Sequence, residues 1–99
     1  MIVEYRTWTS VANVPFSDES IWLPLTRHLE RQHSEMGPVA TWEGDASTIV
    51  LVLADDQPDR AAAAQRAADI IGEALRSTGL ADRFPSVFQV EPAGDLVPA

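Results

Sequence analysis

The stretch Thr48-Ile49-Val50-Leu51-Val52-Leu53-Ala54 decides the fold. It carries no charge and, after its opening threonine, is apolar at odd and even positions alike. A strand with one face in water alternates apolar with polar residues, so a continuous apolar run marks a strand covered on both faces. The run is too short for a free-standing helix and far below the ~20 residues that cross a bilayer. The rest of the chain is therefore expected to pack on or beside a central strand.

Immediately before it, Val39 to Glu43 reads as a short strand, with Gly44-Asp45-Ala46 turning back into the central run as a hairpin. Immediately after it, Asp55-Asp56-Gln57-Pro58-Asp59 announces a helix, with Pro58 near the first helical position and Asp56 as the cap. That helix runs from Arg60 to Ser77, with Ala64, Ala67, Ala68, Ile71, Ala74 and Leu75 as its apolar face. Thr78-Gly79-Leu80 ends it, since glycine readily takes the left-handed backbone that closes a helix. Phe84 to Glu91 reads as the last strand, and residues 92–99 as a tail.

Toward the N-terminus, residues 2–10 mix β-branched and aromatic side chains and read as the first strand. Alternation puts Val3, Tyr5 and Thr7 on one face and Ile2, Glu4, Arg6 and Trp8 on the other. Ser17 is the expected cap of the next helix, with Phe16 stapled onto Ile21 and Asp18 and Glu19 supplying first-turn negative charge. Ile21, Leu25, Leu29 and Met36 form its stripe. Pro24 conflicts with that stripe, because proline lacks the amide proton an interior helical turn uses. Either the helix kinks there or it begins near Pro24; in both cases it is expected to reach Ser34 or Glu35, before Met36-Gly37-Pro38 stops it.

The order strand, helix, strand, strand, helix, strand implies two split βαβ units with right-handed crossovers. The expected architecture is α+β and ferredoxin-like: a four-stranded antiparallel sheet with both helices on one face, residues 1–91 forming a single domain. Such a sheet leaves one face uncovered, yet the central strand is apolar on both. Either Ile49/Leu51/Leu53 or Val50/Val52/Ala54 must look away from the helices. Trp8, Trp42 and Phe88 on neighbouring strands would enlarge that patch if their register agrees, giving Trp8, Trp42, Leu51, Val52 and Phe88 as candidate interface residues. A symmetric homodimer is the first expectation for what covers it, ahead of a partner protein, the tail or a flat ligand. A topology with helices on both faces would remove the need for any cover.

The totals exclude several other functions. Fifteen acidic residues against seven basic ones, all arginine, give a net charge of −8, which repels phosphate backbones and anionic lipid. Neither nucleic acid nor a membrane is an expected partner. With no cysteine, disulfides, thiolate metal sites and cysteine nucleophiles are ruled out. The N-terminus shows no basic stretch followed by an apolar run, so no signal peptide is expected and the cytoplasm is the expected location.

Candidate chemistry is sparse. His28 and His33 stand five apart, whereas helical metal pairs use spacings of three or four. Asp55-Asp56 could hold magnesium at a strand end, but helix capping explains the pair more simply. Ser17, Ser34 and Ser47 have no base placed near them, and no phosphate loop or hydrolase motif occurs. No metal or other cofactor is expected. The function expected is a non-catalytic assembly or regulatory module working through its open sheet face. The alternative is a small enzyme or small-molecule carrier with a pocket lined by Tyr5, Trp8, His28 or Trp42, an analogy that rests on fold alone.

Overall fold

The computed structural model describes residues 2–92, with the backbone alone for Val87 and Phe88. The fold is α+β, a four-stranded antiparallel sheet with two helices. The strands are β1 (Val3–Ala12), β2 (Val39–Trp42), β3 (Thr48–Gln57) and β4 (Ser86–Pro92), and the helices α1 (Glu19–Gln32) and α2 (Arg60–Ser77). A short 3-10 turn, Ser34–Met36, follows α1. The sheet order is β2-β3-β1-β4, so the apolar run of β3 lies between β1 and β2.

One core holds the layers together. Val11, Ile49, Leu51 and Leu53 from the sheet cluster with Leu25 and Leu29 from α1 and with Ile70, Ile71, Ala74 and Leu75 from α2. Since Ile49, Leu51 and Leu53 share one face of β3, both helices bury their apolar stripes on that face. On β1 the same side is taken by Tyr5, Thr7, Thr9 and Val11, all buried. The open side of β1 carries Glu4, Arg6, Trp8 and Ser10, none of them fully buried.

Several local readings are corrected. Asp18, not Ser17, caps α1, its carboxylate accepting the Ser20 amide at 3.1 Å. The cap moves one residue on, and Phe16 stacks on Trp22, ring centroids 6.2 Å apart. Pro24 sits inside α1, which begins before it and continues past it to Gln32 rather than to Ser34 or Glu35. Proline withholds a donor from the Ser20 carbonyl, but Ser20 is exposed in the first turn, where hydration lowers the cost of the missing bond.

At the other helix Asp59, not Asp56, is the cap, accepting the Ala62 amide at 2.8 Å. β3 runs on to Gln57, which draws Asp55 and Asp56 into the sheet opposite Tyr5 and Glu4. α2 has the expected bounds, but its buried stripe is Ala63, Ala67, Ile70, Ile71, Ala74 and Leu75, with Ala64 and Ala68 only half-buried. The last strand begins at Ser86 and ends at Pro92; residues 93–99 of the expected tail lie outside the described residues.

Two substitutions check this packing by urea unfolding followed by circular dichroism. Leu51→Ala, at a side chain 1% exposed between β3 and the helices, is expected to lower stability by about 2–5 kcal/mol. Pro24→Ala, on the exposed side of α1, restores a backbone donor and is expected to raise stability, by at most ~3 kcal/mol.

Candidate functional site: the sheet face away from the helices

Strand register fixes which side chains meet on the face without helices. Residues directly opposite one another project to the same side of a sheet. Across β1 and β3 the outward pairs are Arg6–Ala54, Trp8–Val52 and Ser10–Val50. Across β2 and β3 they are Val39–Val52 and Thr41–Val50. β4 adds Gln89 beside Trp8 and Glu91 beside Arg6. Val39, Val52 and Trp8 therefore form one apolar row across three strands.

This row decides between the two sets of β3 residues. Val50, Val52 and Ala54 look away from the helices, while Ile49, Leu51 and Leu53 face them. The outward set is not uniformly open. Val50 is only 7% exposed, whereas Val52 and Ala54 are half-buried and Val39 is 54% exposed. The accessible apolar surface is thus concentrated toward Ala54. There a depression of about 500 Å³ is lined by Arg6, Trp8, Gly37, Val39, Val52 and Ala54. Gly37 has a left-handed backbone (φ +56°) just before β2 and no side chain to narrow the rim.

The five residues singled out by sequence are divided by this geometry. Trp8 and Val52 are direct cross-strand partners on the open face. Leu51 belongs to the core beneath the helices. Trp42 pairs with Ile49 and so lies on the helix side, where its indole N–H donates to the Val14 carbonyl at 2.9 Å. The side chain of Phe88 lies outside the described residues; its backbone belongs to β4 at the register shift opposite Trp8 and Thr9. The imagined pocket of Tyr5, Trp8, His28 and Trp42 is not assembled, because Tyr5 and Trp42 occupy the opposite side of the sheet from Trp8. Arg6 and Val39 are the site residues that sequence reasoning did not select. The signal for Arg6 was present, since it stands two residues before Trp8 on an alternating strand.

Several charged groups elsewhere have structural partners. Asp55 accepts from Gln57 Nε2 at 2.6 Å and lies 3.9 Å from the Arg66 guanidinium, so it is held at the end of β3. Among the described residues no group of three His, Asp or Glu side chains is placed to hold a metal ion. His28 Nε2 on α1 lies 2.7 Å from Glu73 Oε2 on α2, joining the two helices at their outer edge. Burial would raise the Glu73 carboxyl. The hydrogen bond and charge of His28, the Ser77 hydroxyl at 3.2 Å and the charge of His33 outweigh it and hold the carboxyl below its ordinary value.

No protein-family model, curated protein or solved structure matches this chain.

The Glu73 shift carries a pH signature. A depressed carboxylate stabilises the fold at pH values above the ordinary carboxylate range and loses that contribution as pH falls through its folded value. The thermal midpoint of the natural chain is expected to exceed that of Glu73→Gln near neutral pH, the difference closing on acidification below that range. A difference constant across a pH series of thermal melts would contradict the assignment.

Proposed function

We propose that the protein is a ferredoxin-like assembly or regulatory module whose helix-free sheet face packs against a second copy of itself. The observation that supports this is the row Val39–Val52–Trp8, apolar side chains contiguous across three strands with no helix over them among the described residues. Covering three such side chains removes apolar surface worth several kcal/mol at about 25 cal/mol per Å². A two-fold axis through the face would set the two rows against each other at the ~10 Å spacing of packed sheets.

Charge sets a condition on that packing. Each copy carries −8, so association works against mutual repulsion and must draw on the apolar contact. Added salt screens the repulsion and leaves the apolar contact intact, so the dimer is expected to tighten as ionic strength rises.

A second reading, a small-molecule carrier or a small enzyme, draws on the depression beside Trp8. Its volume of about 500 Å³ falls in the range of small-molecule sites, roughly 300–1,000 Å³. With a second copy lying over the face, the same depression becomes a cavity at the seam.

Light scattering coupled to size exclusion separates the outcomes for the first reading. The natural chain is expected at twice its 10.8 kDa mass, and Val52→Asp at the single-copy mass with an unchanged circular dichroism spectrum. A natural chain that elutes as a monomer at all concentrations and salt levels, or a folded Val52→Asp dimer, would rule out self-association through this face.

A further inference from the structure

The depression at the Ala54 end of the open face differs from the rest of that face in having a guanidinium in its wall. Its other lining side chains are Trp8, Val39, Val52 and Ala54, with Gly37 at the rim. Arg6 is exposed and takes part in none of the ion pairs among the described residues. Glu91 stands opposite it in the register but hydrogen-bonds to Gln89 instead. The site therefore pairs an apolar floor that includes one aromatic ring with a single cation at its edge.

We infer that this depression binds an apolar carboxylic acid, its ring or chain lying on Trp8, Val39, Val52 and Ala54 and its carboxylate meeting Arg6. The inference rests on the second reading above and gives that site a ligand class.

Two physical arguments select this chemistry. A small, strongly hydrated anion such as phosphate would approach a molecule of net charge −8 with little apolar surface to offset the repulsion. An apolar acid gains from burial against four side chains, and its charge is the one the guanidinium matches. A neutral apolar ligand gains the burial but offers nothing to the exposed guanidinium, whereas planar guanidinium and carboxylate groups make paired, charge-assisted hydrogen bonds. The ligand's aromatic or aliphatic body also suits Trp8, whose face stacks on flat apolar groups.

The test uses the full chain, labelled with ¹⁵N, titrated with 2-naphthoate and separately with the neutral 2-naphthylmethanol while backbone amide shifts are followed. The expected result is saturable binding of naphthoate with shifts confined to β1, β2 and β3 around Arg6, Trp8 and Val52. Arg6→Gln, at an exposed position that leaves the fold intact, is expected to weaken naphthoate about tenfold or more and the alcohol less than about twofold. Equal binding of acid and alcohol, or no effect of Arg6→Gln on the acid, overturns the carboxylate assignment while leaving a small-molecule site in place. Failure of both compounds to bind overturns the site itself. Shifts confined to the helices overturn the location. The oligomeric state, measured on the same samples by light scattering, decides the self-association reading independently of these outcomes.

Discussion

The arrangement depends on a mismatch between one strand and the layers available to cover it. β3 presents apolar side chains to both sides, but both helices lie over Ile49, Leu51 and Leu53. On the other side Val50 is nearly sealed, while Val52, Ala54 and the edge residue Val39 remain in reach of solvent. A lone exposed aliphatic is ordinary, but several in register across adjacent strands form a contiguous apolar patch, the kind of surface on which proteins meet partners or ligands. The proposed roles of this face, self-packing and uptake of an apolar acid, both follow from that one imbalance.

The helix layer, by contrast, is closed with care. Phe16, Trp22 and Trp42 pack edge and face, with Trp42 meeting each of the other two rings at 5.1 Å. Both indole N–H groups are used, Trp22 donating to the Phe16 carbonyl and Trp42 to that of Val14. Val14 and Phe16 in turn donate their amides to Ser47 and Ala46 in the β2–β3 turn. The loop leading into α1 is thereby tied to the hairpin that leads into β3. His28 and Glu73 fasten the outer edges of the helices.

Element order and type were legible in the sequence because they rest on strong local signals. The unbroken apolar run fixed β3, and the alanine-rich segment fixed α2 to its terminal residues. Cap positions were less legible, since Ser17 and Asp18, or Asp56 and Asp59, are each chemically able to cap, and the choice is made by where the preceding chain leaves the sheet. The run of β3 to Gln57 decided the second case by drawing Asp56 into the ladder with Glu4. Pro24 left two helix starts open because its cost is lowest where the orphaned carbonyl is exposed, a property of its surroundings, and the start before it is the one adopted. The candidate site was half legible. Alternation placed Arg6 with Trp8, but assigning Trp42 and Leu51 to one side or the other required the pairing of three strands, which no single segment encodes.

The tryptophans are divided between the two sides of the sheet. Trp22 and Trp42 meet edge to face within the helix layer, their ring centroids 5.1 Å apart. Trp8 stands by itself against Val52 on the far side. The indoles therefore divide by surface, one on the side of the sheet away from the helices and a ring pair within the helix layer.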